Sequence, residues 1–159
     1  MLGMNKLLAK REKEGRPIRV GLIGAGQMGR GMVAQIQQMK GMDVVAVADI
    51  TPRNAVAAYH NAGVPGERIE RCNRLSQAQA AVEKGHRVVT EQAEVVLQLP
   101  MVEAVIDATG VPEVGAKVAF QAIQNHKHIV MLNVEADVTV GAILNKMAQS
   151  AGVVYTGAA

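Results

Sequence analysis

The run Arg19-Val-Gly-Leu-Ile-Gly24-Ala-Gly26-Gln-Met-Gly29 passes from a short apolar strand directly into the spacing G-x-G-x-x-G and leaves it on a helical pattern. Asp49 follows 20 residues past Gly29, closing a second apolar run, Val44-Val-Ala-Val-Ala48. Each glycine answers a different steric demand. Gly24 permits a tight turn off the strand, Gly26 lets the backbone approach a pyrophosphate, and Gly29 lets the helix lie close on the sheet. A pyrophosphate would sit on the free N–H groups and positive dipole end of the helix that begins at Gln27 and Met28. A glycine turn alone is common in α/β proteins. The strand before it, the helix after it and the acid at this distance together give a dinucleotide-binding fingerprint.

A chain of 159 residues is one domain's worth of sequence, enough for a buried core. With 49% hydrophobic and 19% charged residues it reads as globular, and no apolar run reaches membrane-spanning length. A net charge of +3 is mild, and the aromatics are Phe120, Tyr59 and Tyr155, which leaves few platforms for stacked bases. Nucleic acid and membrane are therefore not expected partners. The single cysteine, Cys72, allows no intrachain disulfide and fits a cytoplasmic setting. Arg71 and Arg74 would lower its pKa if it were reactive, and a bystander thiol is the alternative. Residues 1–17 read as an amphipathic helical arm packing on the protein, stopping at Gly15, and 18–159 as the dinucleotide-binding domain.

The periodicity predicts strands over Ile18–Ile23, Val44–Ala48, Arg87–Thr90, Val102–Ala108, His128–Leu132 and Val153–Tyr155. Helices are predicted over Gln27–Lys40, Pro52–Asn61, Leu75–Lys84, Glu91–Leu99, Val114–Asn125 and Val138–Ala151. In the first of these, Met28, Met32, Val33, Ile36 and Met39 recur at core spacing, with the methionines as filler. Thr51 reads as the N-cap before Pro52. Strands alternating with helices at this spacing imply an α/β fold: a doubly wound, mostly parallel Rossmann sheet of order 3-2-1-4-5-6 with helices on both faces.

Asp49, at the end of the second strand, can accept hydrogen bonds from adenosine ribose hydroxyls, which favours NAD. A 2′-phosphate would be repelled there without a compensating cation, and Arg53, one turn into the next helix, stands where one is needed. A solvated surface arginine is the other reading of Arg53. Ala108, Thr109 and Gly110 end the fourth strand, where ligands bind in open α/β sheets, and can line the nicotinamide side; a plain strand-to-helix turn opened by Pro112 explains them equally. Asn133 and Glu135 follow the fifth strand at the same crevice with Asp137, which either meets a ligand or caps the next helix. His126 and His128 read as turn or surface residues around Lys127, and His60 and His86 as isolated. No metal site is expected.

Together, Gly15 to Gly29, Val45 to Asp49, Ile106 to Gly110 and His128-Ile-Val-Met-Leu-Asn-Val-Glu-Ala-Asp137 resemble the homoserine-dehydrogenase-like oxidoreductases that carry a C-terminal SAF domain, a group that includes deoxyxylulose-phosphate-reductoisomerase-like enzymes. The resemblance spans nearly the whole chain, and Asn133-Val-Glu-Ala-Asp137 is its most specific piece. Homoserine dehydrogenases often have Asn-Lys after the fifth strand, whereas Val134 follows Asn133 here, which speaks against homoserine as substrate. The resemblance implies NADP or NAD as cofactor, reduction of a carbonyl on a small polar or phosphorylated substrate, and catalytic and SAF regions beyond this chain. A stand-alone NAD(H)-sensing regulatory Rossmann module is the competing function. Catalytic residues are not identifiable, and a homo-oligomer is compatible with the sequence.

Overall fold

The structure, a computed structural model, describes residues 2–157; Met1, Ala158 and Ala159, at the outer limits of the expected arm and domain, lie outside the described residues. Among the described residues, α-helices and strands alternate: α1 (Leu2–Lys13), β1 (Ile18–Ile23), α2 (Gln27–Gln37), β2 (Met42–Ala48), α3 (Pro52–Asn61), β3 (Ile69–Arg71), α4 (Leu75–Glu83), β4 (Arg87–Thr90), α5 (Ala93–Gln98), β5 (Ala104–Asp107), α6 (Pro112–Gln124), β6 (His128–Met131), α7 (Val134–Ala151) and β7 (Tyr155–Gly157). One seven-stranded sheet runs β3-β4-β2-β1-β5-β6-β7, with every pair parallel. Without the short edge strand β3, the six remaining strands follow the expected Rossmann order. Sequence order reverses at β1, which lies between β2 and β5, so the crevice opens there at the strands' carboxyl ends.

The strands are apolar nearly throughout because both faces are covered. Val33 and Ile36 of α2 and Ala55, Ala58 and Tyr59 of α3 pack on one face against Val20, Leu22, Val44 and Val47. Helices α4 to α7 cover the other, over Ile23, Val45, Ala46, Val105 and Ile129. A register shift after Val20 pairs Gly21 with Ala46 rather than with Val45, which puts the consecutive residues Val45 and Ala46 into the same core layer. Two buried polar groups are tied to backbone. The Tyr59 hydroxyl donates to the Val44 carbonyl at 3.1 Å, and Lys127, 4% exposed, donates to the Leu99 and Val102 carbonyls at 2.5 and 2.8 Å. Burial pushes the Lys127 ammonium below its ordinary pKa.

Several expectations change. Helix α2 buries Gly29, Val33 and Ile36, but Met28 is 60% exposed and Met39 stands at the surface, so these two methionines are not core filler. The polar stretch before α4 contains a 3₁₀ turn, Gly66–Arg68, and the edge strand β3. Helix α7 starts at Val134, four residues earlier than predicted, because Asn133 caps it by accepting the Ala136 N–H; Asp137 lies inside the first turn and accepts from the Tyr155 hydroxyl at 2.6 Å. Thr51 holds the N-cap position of α3 without a side-chain cap, and the Asp49 carboxylate takes its N–H instead. Cys72 is buried, and burial followed by the charge of Glu70 raises its thiol pKa; Arg71 is committed to Glu91 rather than to the sulfur. His86 is not isolated, since its Nδ1 lies 2.8 Å from Glu70 Oε2. His126 occupies a turn with φ of 54°, and His128 Nδ1 accepts the Val154 N–H. No helix among the described residues is long and apolar enough to cross a membrane.

Arm helix α1 docks through its carboxyl-terminal half. Arg11 forms a two-pronged bond with Glu103, both contacts at 2.9 Å, and Glu12 accepts the Gly41 N–H at 2.7 Å, while Met4 and Leu7 face solvent.

Gly21 tests the packing of the central strand. A Cβ there would run into Val96 Cγ1 and press on Val102, so Gly21→Ala should lower stability by about 1–3 kcal/mol through overpacking. Urea denaturation reads the change, and a midpoint equal to wild type would show that β1 and α5 are not in this close contact.

Candidate functional site

A cleft of about 370 Å³ opens over the carboxyl ends of β1, β2, β4 and β5. Its floor is the turn between β1 and α2. Gly24 takes a φ of +95°, and a Cβ on it would lie 2.7 Å from the Ala108 backbone and 2.8 Å from the Thr109 nitrogen. The β1 turn is therefore pressed against the turn after β5, which only glycine allows. A Cβ on Gly29 would collide with the Gly24 carbonyl oxygen, so α2 also sits hard on the end of its own strand. Gly26 differs from both: nothing lies within 4 Å of where its Cβ would be, and it lines the open cleft. As the N-cap of α2, Gly26 offers no side chain to the helix, so the first-turn N–H groups of Gln27, Met28 and Gly29 have no side-chain acceptor. Gln27 and Met28 are exposed beside the cleft, and Arg30 is the first residue whose N–H bonds back to Gly26, at 2.9 Å.

Asp49 joins this turn to the next strand. Its Oδ2 accepts the Ala25 N–H and its Oδ1 the Thr51 N–H, both at 2.7 Å, with Asn54 Nδ2 at 3.5 Å. The carboxylate thus fixes the glycine turn from the side while still lining the cleft. Arg53 is exposed on the first turn of α3 and is not among the residues that line the cleft. On the opposite wall stand Ala108 and Thr109, with Gly110 exposed next to them at φ of +70°.

Below that wall lies a buried carboxylate. Asp107 Oδ1 accepts the Thr109 N–H at 3.2 Å, whereas its Oδ2 and the Thr109 hydroxyl are buried without a partner among the described residues. Burial is the main cause that lifts the Asp107 carboxyl above its ordinary pKa, against the Thr109 N–H and the polar Thr109 and Asn133 side chains beside it, which pull it down. Asn133, 1% exposed, donates to the Val111 carbonyl at 2.7 Å. Its link to the cleft runs through the β5–α6 turn that it holds in place. Glu135 is exposed on the first turn of α7, and its carbonyl accepts the Thr139 hydroxyl.

The structure therefore gathers Gly24, Gly26, Asp49, Ala108 and Thr109 around one cleft, sets Gln27, Met28, Gly29 and Gly110 at its margin, and leaves Arg53 and Glu135 outward. Sequence reasoning missed Ile50, Thr51, Asn54, Glu91, Ala93 and Val114, which also line it. Strand position was the available signal: Ile50 and Glu91 directly follow Asp49 and Thr90, at the carboxyl ends of adjacent strands.

No protein-family model matches the chain, and no curated protein matches it. Solved structures do share its fold. Biliverdin reductase from Synechocystis sp. PCC 6803, in complex with biliverdin and NADP+, superposes with a TM-score of 0.67 at 18% identity over 89% of this chain and 37% of its own. A homoserine dehydrogenase from Thiobacillus denitrificans gives 0.62 at 24% identity over 89% and 29% of the two chains. Myo-inositol dehydrogenase from Lactobacillus casei, in complex with NAD(H) and myo-inositol, gives 0.64 at 19% over 87% and 36%. The chain spans about a third of the length of these proteins. At such identities the shared property is the Rossmann fold.

Asp107 gives the site a pH signature. With its pKa raised in the folded state, its proton stabilises the fold fully below the ordinary carboxylate pKa, and that contribution is lost as pH rises through the folded pKa. Asp107→Asn lacks this titration. Wild-type stability relative to Asp107→Asn should therefore fall as pH rises above about 4, measured from urea midpoints. A difference that stays flat or grows with pH would contradict a charge-penalised carboxyl at this position.

Proposed function

We propose that the cleft binds NAD(P) and that the chain is the cofactor-binding portion of an oxidoreductase. The observation that carries this reading is the division of labour among Gly24, Gly26 and Gly29: two are packed against backbone, and the third leaves open space in front of unoccupied helix N–H groups. That is the shape and charge a pyrophosphate requires. Residues 18–157 are the dinucleotide-binding unit of this reading, with the helical arm that ends at Pro17 bracing β1 from outside.

The residues around the cleft divide the cofactor between them. Gln27, Met28 and Gly29 would receive the pyrophosphate, Asp49 a ribose hydroxyl, and Ile50, 92% exposed, would offer an apolar face to the base. Across the turn, Ala108, Thr109 and Gly110 would hold the nicotinamide side, with Asn133 keeping that turn in place through Val111. A bound nicotinamide supplies a hydride acceptor or donor. The resemblance to homoserine-dehydrogenase-like enzymes and the fold shared with biliverdin reductase, homoserine dehydrogenase and myo-inositol dehydrogenase support a reductase acting on the carbonyl of a small polar or phosphorylated substrate, with a deoxyxylulose-phosphate-like sugar phosphate as the first to try. Such a carbonyl must be held about 3–3.5 Å from the nicotinamide, and among the described residues the cleft presents one wall for that task.

Gly26→Val tests the binding claim cleanly. Gly26 has a φ of −71°, open to any residue, and its Cβ would meet nothing, so the variant should unfold within about 1 kcal/mol of wild type. Its affinity for NADH and NADPH by calorimetry should fall at least about tenfold, because the new side chain occupies the pyrophosphate position. Equal affinity in a folded variant would overturn the reading.

Turnover separates binding from catalysis. The 159-residue chain should bind cofactor yet show no oxidation of NADPH driven by deoxyxylulose phosphate or related sugar phosphates. Robust substrate-dependent oxidation would place a complete substrate site within these residues.

A further inference from the structure

Beside the glycine turn stands a cation that the sequence pattern did not single out, and its role rests on the dinucleotide reading of the cleft. Arg30 lies one residue past the last glycine of the turn, on the first helical turns of α2. Long side chains on a helix lean back toward its amino end, and this one does: Arg30 Nε donates to the Ala25 carbonyl at 3.1 Å, while its guanidinium reaches across to Asn54 Oδ1 on α3 at 3.3 Å. Both acceptors are neutral. Among the described residues no carboxylate pairs with it.

Asn54 is the link to the cleft. It lines the cavity, and its amide bridges two opposite charges, with Oδ1 turned to Arg30 and Nδ2 turned to Asp49. The arrangement places an anion and a cation on either side of one amide, at the place where the adenosine ribose must lie if Asp49 receives it. A 2′-hydroxyl suits Asp49 and needs nothing from Arg30. A 2′-phosphate would be repelled by Asp49, but that carboxylate is already hydrogen-bonded by Ala25 and Thr51, and the long bond from Arg30 to a neutral amide is readily exchanged for a charge-assisted one.

We propose that Arg30 is the specificity-determining residue of this cleft: it recognises a 2′-phosphorylated adenosine and lets the site take NADP as well as NAD. Arg53 is the obvious rival by position. It is exposed, and among the described residues its side chain makes no hydrogen bond, so fixing it on a phosphate costs side-chain entropy that the tethered Arg30, bonded to Ala25 and Asn54, has already lost. Arg30 also touches the glycine turn itself, which couples its position to that of the pyrophosphate.

The test is a pair of fluorescence titrations, NADH and NADPH, on wild type, Arg30→Met, Arg30→Lys and Arg53→Met. Methionine keeps the apolar stem against α2 and removes the charge. Arg30→Met should lower the NADPH affinity about tenfold or more relative to that for NADH, as expected for losing hydrogen bonds to a charged group. Arg30→Lys should recover part of the NADPH affinity, and the steeper salt dependence of NADPH binding in wild type should flatten in Arg30→Met. An unchanged NADPH-to-NADH ratio in Arg30→Met, or a larger NADPH-selective loss in Arg53→Met, would overturn the assignment while leaving a dinucleotide site intact. Wild type that binds neither cofactor would overturn both the assignment and the reading beneath it.

Discussion

The contact between Gly29 and the Gly24 carbonyl sets the geometry of everything above the sheet. With no Cβ at Gly29, α2 presses onto the carboxyl end of β1, and its first turn is aimed at the crevice where sequence order reverses. Gly24 extends the same constraint sideways, since its positive φ and its packing against Ala108 and Thr109 lock the β1 turn to the β5 turn. Two loops from distant parts of the chain become one rigid floor. Preorganisation of this kind reduces the ordering cost that a long, flexible ligand would otherwise impose.

Charge is distributed around that floor with little direct pairing. Asp49 spends its carboxylate on backbone N–H groups, Arg30 spends its guanidinium on neutral oxygens, and Asn54 stands between them. Across the cleft, Asp107 is buried with one oxygen unsatisfied, and Asn133 braces the neighbouring turn. Asp49, Arg30, Asp107 and Asn133 each shape a loop by holding backbone. Buried polar groups left short of partners are uncommon in folded proteins, and here two of them, on Asp107 and Thr109, lie under the wall proposed to carry the nicotinamide.

How much of this was legible depended on whether the determinant was local. Alternation of apolar runs with helical periods carried the strand order and the positions of most elements, and the glycine spacing located the turn. What escaped was set by tertiary contact. Met28 carries an apolar side chain at helical spacing, yet it faces outward because α2 meets the sheet through Gly29, Val33 and Ile36. The start of α7 was missed because Asn133, read as a ligand residue, does its capping with the same side chain that holds Val111. Strand β3 is three residues on a sheet edge, too short to show a period. Arg30 was passed over because a single arginine on a first helical turn has no pattern of its own; its meaning comes from Asn54, 24 residues away.

The central claim is that the first turn of α2 receives the pyrophosphate of a dinucleotide. Titrating the labelled chain with NADH and following backbone amide shifts by NMR tests it most directly. The largest shifts are expected at Gln27, Met28 and Gly29, with further changes at Asp49 to Thr51 and at Thr109 and Gly110. Shifts confined to the outer surfaces of α6 and α7, or none at millimolar NADH, would contradict it.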